Sequence, residues 1–481
     1  MGGLSKKAFQ LEAYRKEHGK AWIAVDAGNL LFESASVVSN KAQQEKITAT
    51  GIVEAYELMG YDAVGIGRND LTAGLSYLLE LQKKSALTWL SANLVRVADN
   101  SPFFAPSLIR RRGDVTFGII GITGNDLQSQ LTADDGAKLL SWSEVLPSLV
   151  KDLAGRCDFV ILLSSLGPQE DIQIARQIAG INLIVEADGG NGNKTPTNAG
   201  NTLITHSNKQ GKHLGILQVN WQPSGEWQQQ AQHTLLAQKQ AILDRYNWQL
   251  KRIEARGNPA EQFKDAPDRL ASYQRLAAKR DAIAREVKVL SEQAAANPGH
   301  RQPSTYTVSF VAMEKDSPDD LKVLALVEKI KSDIADLARK DGGVKSESSA
   351  AGLPLGGDPA ESGYVGWKRC GGCHGEIVEK WQKTKHARAY DTLAEKGQQF
   401  NQDCLPCHVT GVVTGQEPYV LTLPEELLQV GCEACHGPGQ VHAGNSSQPL
   451  LQPPDKTVCL RCHTPDQDDN FDYQQKSRLV H

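Results

Sequence analysis

The sequence predicts a multidomain chain: an α/β sandwich with an inserted helical hairpin, followed by a mainly α domain with little regular secondary structure. Three observations carry this prediction. Apolar, β-branched runs alternate with helical patterns up to about residue 224. From about Trp227 to Asn297 the chain turns rich in Gln, Ala, Lys and Arg, with apolar residues at three–four spacing. Eight of the nine cysteines then crowd between Cys370 and Cys462.

The length of 481 residues exceeds one ordinary domain. A formal net charge of only -4 argues against a nucleic-acid or membrane-surface role driven by bulk charge. No apolar run is long enough to span a bilayer.

In chain order, AWIAVDAG, DVTFGIIGIT, CDFVILLSS and INLIVEA read as strands, with helices from Ile52 to Leu58 and Trp142 to Leu153 between them. They form an α/β domain over residues 1–225. Residues 226–299 read as an antiparallel hairpin broken around Pro259 and Pro267, with arms of about 28 residues, or about 42 Å. Such an arm serves as a spacer or a dimerisation element, which leaves a homo-oligomer or filament open. Residues 300–340 supply a closing strand, Ser304 to Met313, and an amphipathic helix. Residues 341–363 have the Gly/Ser/Pro texture of a flexible linker, and 364–481 form the last domain.

That domain holds four C-x-x-C-H segments: Cys370, Cys373 and His374; Cys404, Cys407 and His408; Cys432, Cys435 and His436; Cys459, Cys462 and His463. C-x-x-C-H is the attachment signature of c-type haem, with both thiols bonded to the porphyrin edge and the adjacent imidazole on the iron. Zinc sites and structural disulfides do not need a His after every pair. Four covalently bound c-type haems are therefore expected, with electron transfer as the function. A second axial ligand decides whether an iron carries electrons or binds a reactant. No Met follows Met313, and the remaining histidines are His386, His442 and His481. Three distal candidates serve four irons. The stretch GEIVEKWQKTKHARAYDTLAEK reads as one helix, which places His386 about 18 Å from His374. His442 follows His436 too closely to pass around a porphyrin edge. Both are expected to ligate a neighbouring haem.

The order CGGCH, W-x-x-x-x-H-A-x-A (Trp381, His386), CLPCHVTG, CEACHGPGQVH and CLRCH resembles the cytochrome c-554 type of multihaem cytochrome. The resemblance implies that some haems have two histidine ligands and that one iron can be five-coordinate. It also implies periplasmic or extracellular electron transfer, with redox partner proteins or extracellular electron acceptors. Haem attachment outside the cytoplasm calls for a secretion signal, and MGGLSKKAF has no apolar h-region. The expectation is that the signal precedes the sequence given.

Stretches including AWIAVDAGNLLFES, ELMGYDAVGIGRNDLTAGLSYL, LTWLSANLV, DFVILLSSLG and GINLIVEADGG resemble secreted 5'-nucleotidases of the calcineurin-like metallophosphoesterase superfamily, over about residues 2–220. The resemblance implies an α/β sandwich and a two-metal site. The family's metal-bridging Asp falls on Asn29. Its Gly-Asn-His-Asp/Glu signature reads Gly67, Arg68, Asn69, Asp70. Its next His is Ser165, and its Gly-His-x-His pair falls near Ala187 to Gly190. The family's first strand is expected before Gly2. A scaffold without phosphatase activity, a pseudoenzyme, follows. The alternatives are an oxidoreductase acting on a small nitrogen or sulfur oxide at a five-coordinate haem, and a residual 5'-nucleotidase-like hydrolase.

Cys157 reads as an inert thiol at the start of a strand. GIGRND lacks the spacing of a dinucleotide fingerprint. His206 and His213 read as ordinary loop and strand residues. One of them, or His300, is the alternative ligand for the fourth haem.

Overall fold

In the computed structural model the described residues are 3–19, 21–36, 41–187, 192–208, 211–222, 226–227, 230–254, 257–264, 267–295, 304–314, 317–341, 363–411, 423–447, 454–464, 467–468 and 471–480. The chain divides into two compact units, Met1–Ala35 with Ile52–Leu324, and Ser36–Gly51 with Ala325–His481.

The strands are β1 (Val25–Asp26), β2 (Ala63–Gly65), β3 (Trp89–Leu90), β4 (Leu94–Arg96), β5 (Ser107–Arg112), β6 (Val115–Ile122), β7 (Ala137–Leu139), β8 (Phe159–Ser164), β9 (Leu183–Glu186), β10 (Lys194–Ala199), β11 (Thr202–His206), β12 (His213–Asn220) and β13 (Thr305–Ala312). The helices of the first part are α1 (Leu4–His18), α2 (Ala42–Met59), α3 (Leu75–Lys84), α4 (Trp142–Ala154), α5 (Pro168–Gln177), α6 (Gln230–Glu254), α7 (Pro259–Gln262), α8 (Pro267–Ala295) and α9 (Leu321–Asp341).

Side chains alternate faces along a strand, and the β6 and β8 runs are apolar on both faces because both are covered. Ile120, Ile122, Val160 and Leu162 pack with Leu146, Val150 and Leu153 of α4 and Ile174 of α5. Ile119, Ile161 and Leu163 pack the other way, with Ala27, Ala63 and Leu90 beside the second sheet. The large sheet runs β10–β11–β9–β8–β6–β5, with β11, β9, β8 and β6 parallel. A parallel sheet β1–β2–β3 forms the next layer. This is the expected α/β sandwich. The AWIAVDAG stretch yields only the short β1.

The hairpin is present as α6 and α8, tied by Lys239 to Glu286 at 2.6 Å and by the Tyr273 hydroxyl to Glu254 at 2.8 Å. Its root explains the closing strand: β12 and β13 flank the insertion and pair antiparallel from His213↔Ala312 to Asn220↔Thr305. Edge-on contacts of Phe159–Trp221, Trp221–Trp227 and Trp227–Tyr306, with ring centres 5.0, 5.3 and 5.8 Å apart, fasten that root to the sheet.

In the second unit, described helices beyond α9 are only four to seven residues long, from Trp367–Gly371 to Tyr473–Lys476. Ahead of them in sequence, Lys41 reaches Asp403 at 2.8 Å, and Gln44 bonds Asn401 and Asp403 at 3.2 and 3.1 Å. The start of α2 thus holds the lead-in to Cys404. Most of the expected linker, residues 342–362, lies outside the described residues. Among the described residues no helix is long and apolar enough to cross a membrane.

Candidate functional site

Each C-x-x-C-H segment closes into a helical turn. The His374 and Cys373 N–H groups donate to the Cys370 carbonyl at 2.9 and 3.2 Å, and His463 and Cys462 do the same to Cys459 at 2.9 and 3.2 Å. Leu405–His408 and Cys432–His436 are helical as well. Residues i, i+3 and i+4 share one face of a helix, so each turn presents two sulfurs and one imidazole on one side. No disulfide joins any of the nine cysteines. Cys157 is half-buried outside this group, and burial pushes its thiol up.

The imidazoles come together in pairs. The rings of His374 and His442 lie 6.0 Å apart with planes 16° apart. Those of His386 and His463 also lie 6.0 Å apart, at 53°. A metal ion with an imidazole nitrogen about 2 Å away on each side holds the ring centres about 6 Å apart. The partner of His386 therefore belongs to the fourth motif, and that of His442 to the first. Second contacts orient the rings. His463 Nδ1 bonds Asp468 at 2.9 Å, and His408 Nδ1 donates to the Ala389 carbonyl at 2.7 Å, so Nε2 is the nitrogen that would face an iron in each. Burial, then the neighbouring His463, pushes the His386 pKa down, which favours the neutral ligand form. His436 is half-buried at the end of its helix, and His481 and His300 lie outside the described residues.

The motifs also meet through sulfur. Cys462 Sγ approaches the Pro406 carbonyl inside the second motif at 3.9 Å, and the Cys370 and Cys432 thiols, like those of Cys435 and Cys459, lie near enough to shift one another's ionisation. The first motif therefore neighbours the third, the third the fourth, and the fourth the second.

One expectation needs correction. Residues 375–396 are not one helix: Gly375–Trp381 ends, a 3₁₀ turn covers His386–Arg388, and Ala389–Ala394 follows. Thr384 turns both its N–H and its hydroxyl back onto the Trp381 carbonyl, at 2.8 and 2.6 Å. The Trp381 indole is pinned to Val430 O at 3.0 Å. The axial estimate of about 18 Å between His374 and His386 does not apply to a chain that turns here.

In the α/β unit, the residues that the sequence resemblance sets at phosphoesterase ligand positions are engaged in internal contacts. Asn29, at φ 58°, accepts the Asn69 N–H through Oδ1 at 2.9 Å. The Asn69 side chain donates to Glu33 O at 3.2 Å. Asp70 is fully buried and accepts the N–H groups of Asn29, Leu30, Leu31 and Gly67 at 2.7 to 2.9 Å. Burial raises its pKa to about 6 against the pull of those four donors. Ser165 Oγ donates to Ile66 O at 2.8 Å and accepts the Gly124 N–H at 3.0 Å. Arg68 lies 3.8 Å from Asp126. Ala187 donates to Ser164 O at 2.7 Å, and residues 188–190 lie outside the described residues. Among the described residues, no three His, Cys, Asp or Glu side chains converge to hold a bare metal ion.

At the carboxyl ends of the parallel strands lies a buried cluster that the sequence did not reveal. Glu186 ends β9 and meets His206 Nδ1 at 3.1 Å and Lys194 at 2.8 Å. Ser164 donates to Asp171 at 2.6 Å. Burial pulls Glu186 up, but His206 and Lys194 more than cancel that and leave it below the usual range. Burial raises Asp171 to about 7, opposed by Ser164 and aided by the Glu186 charge. Since Asp171 binds its proton more tightly when folded, its contribution favours the native state at low pH and is lost as pH rises from about 4 through about 7. Asp171→Asn will therefore gain stability over wild type by on the order of 2–3 kcal/mol between pH 5 and pH 8. Urea unfolding followed by circular dichroism at both values measures the gap, and a gap independent of pH refutes the prediction.

Against these geometries the known proteins can be placed. Residues 369–437 match the family model described as cytochrome c554 and c-prime. This part of the chain is cytochrome c-like, and covalently bound haem c is the cofactor that the family implies. Cytochrome c-554 of Nitrosomonas europaea is 33% identical over 103 residues, which is 18% of this chain and 43% of that protein. Protein UshA of Escherichia coli is 26% identical over 125 residues, 26% of this chain and 22% of that protein. The chain thus spans less than half the length of each relative. The 5'-nucleotidase precursor of Thermus thermophilus superposes over 69% of this chain and 53% of its own with a TM-score of 0.45 at 16% identity. The residues of the cytochrome c554-like part fit haem c: four helical turns present two sulfurs and an imidazole each, and two imidazole pairs stand at the spacing of a shared iron.

Proposed function

We propose that the chain is a secreted tetrahaem c-type cytochrome, periplasmic or extracellular, that relays electrons between redox partner proteins or to extracellular acceptors. The observation that carries this reading is the pair of 6.0 Å imidazole contacts, each joining one motif's histidine to a distal candidate. Cys370 and Cys373, Cys404 and Cys407, Cys432 and Cys435, and Cys459 and Cys462 attach the four haems, whose iron supplies one-electron chemistry. His374, His408, His436 and His463 are the proximal ligands. His442 completes the first site and His386 the fourth. Both pairings join segments distant in sequence, and the second and fourth motifs approach one another at Pro406 and Cys462.

A second reading, a haem-site oxidoreductase acting on a small nitrogen or sulfur oxide, is favoured by the ligand count: within residues 364–481, His481 is the one candidate remaining for the second and third sites. Electron paramagnetic resonance of the holoprotein with and without carbon monoxide separates them. Low-spin haems indifferent to the gas support the relay. A high-spin haem altered by carbon monoxide supports the oxidoreductase. A protein without low-spin haem refutes both.

The α/β unit is a scaffold without phosphatase activity. Asn29 and Ser165 supply neutral groups already committed to backbone partners, and Arg68 brings positive charge where a dication belongs. Added zinc or manganese will not raise nucleotide hydrolysis above the buffer rate. Hydrolysis saturable in metal contradicts the reading.

A further inference from the structure

Glu433 occupies one of the two variable places of the third C-x-x-C-H motif, yet its side chain points into the domain and is 4% exposed. Its Oε2 accepts the Gly366 N–H at 2.7 Å. Its Oε1 accepts the Gly439 N–H at 2.7 Å and the Val365 N–H at 2.9 Å. These donors stand at two informative places. Gly366 immediately precedes the helix Trp367–Gly371, which carries Cys370 and leads to His374. Gly439 immediately precedes the helix Gln440–Gly444, which carries His442. One carboxylate therefore grips the roots of both segments whose imidazoles stand 6.0 Å apart. A second clip, Gln440 N–H to Gly363 O at 3.0 Å, joins the same two segments.

Helices of five residues have too few internal hydrogen bonds to fix their own direction, so anchors outside them set where their side chains point. The donors are also selected for close approach. Gly366 has φ 77°, and a Cβ there would meet the Glu426 side chain at 2.3 Å. A Cβ on Gly439 would come to 3.1 Å from Glu433 Oε1. A buried carboxylate left without its donors carries a large desolvation cost, so the grip is strong in both directions: the charge requires the N–H groups, and they have no water to turn to.

We propose that Glu433 is a positioning residue for the first haem. It holds the His442 helix against the Cys370–His374 segment so that both imidazoles address one iron. A residue of the third motif thus sets the coordination of the first. The proposal rests on the His374–His442 pairing argued above, and its test keeps the two apart.

The test uses the full holoprotein as wild type, His442→Ala, Glu433→Ala and the double variant, with carbon monoxide titration and electron paramagnetic resonance as readouts. His442→Ala is expected to gain about one high-spin, gas-binding haem per chain over wild type. Glu433→Ala is expected to gain the same one, with the double variant no further along, because both changes act on one iron. General loosening would open other haems too and would add to His442→Ala. If His442→Ala gains a haem and Glu433→Ala does not, the positioning role is overturned and the pairing stands. If His442→Ala changes nothing, the pairing falls and the role falls with it. Should Glu433→Ala mature with fewer than its full complement of haems, Glu433→Gln decides. Its amide has one accepting oxygen in place of two, so it is expected to raise gas binding above wild type, and unchanged binding overturns the proposal.

Discussion

His386→Ala is expected to turn the haem proposed at Cys459, Cys462 and His463 from low-spin to high-spin and open it to carbon monoxide. His386 and His463 face each other at 6.0 Å, and the other nitrogen of His463 is held by Asp468 at 2.9 Å. Removing the distal imidazole leaves the proximal one aimed as before, so the iron loses one ligand and keeps its attachment. The gain is about one gas-binding haem per chain. The effect is confined, because the His374–His442 pair is built from other segments. Optical difference spectra with carbon monoxide measure it directly. A spectrum identical to wild type contradicts the pairing, and a change in several haems at once contradicts its independence.

The second large effect concerns folding. A chain made without haem attachment, as in an eightfold Cys→Ala variant, will keep its α/β unit and lose the fold of residues 363–480. The α/β unit has two extensive cores, around Leu146, Ile120 and Leu162 on one side and Ile119, Ile161 and Leu163 on the other. The cytochrome-like part has a described cluster of Leu393, Leu405 and Val409, with Val378, Trp381, Ala389 and Leu427 buried elsewhere. Its described helices span seven residues or fewer and do not persist alone. The proposed porphyrins would supply the missing apolar core, much as a structural metal does for a small domain. Limited proteolysis with mass mapping is the check: cleavage within 363–480 is expected to accelerate by roughly tenfold or more, with the α/β fragment surviving. Equal resistance in both forms refutes the claim.

How far the sequence could be read follows from what each feature depends on. The C-x-x-C-H motifs are local, and one helical turn explains their spacing. The strands β6, β8 and β9 are equally legible, because apolar runs covered on both faces look alike in sequence and in space. The hairpin arms announce themselves by periodicity. The histidine pairing is different. The exclusion of His386 from its own neighbour rests on an unbroken helix that the chain does not form, and the approach to His463 depends on the turn made at Trp381 and Thr384. The break in the helix escapes a sequence reading for the same reason: nothing in TKHARAY signals that Trp381 is pinned to Val430. Glu433 reads as a variable residue until three backbone N–H groups converge on it. The Glu186, Lys194 and His206 group assembles strand ends that only the sheet order brings together.

The intact mass of the denatured protein tests most directly whether four haems are joined covalently to this chain through eight cysteines. The expected result is a single species heavier than the polypeptide by four haems, with all eight thiols unavailable to alkylation. A mass equal to the bare chain, or alkylation of any of the eight cysteines in the mature protein, would contradict it.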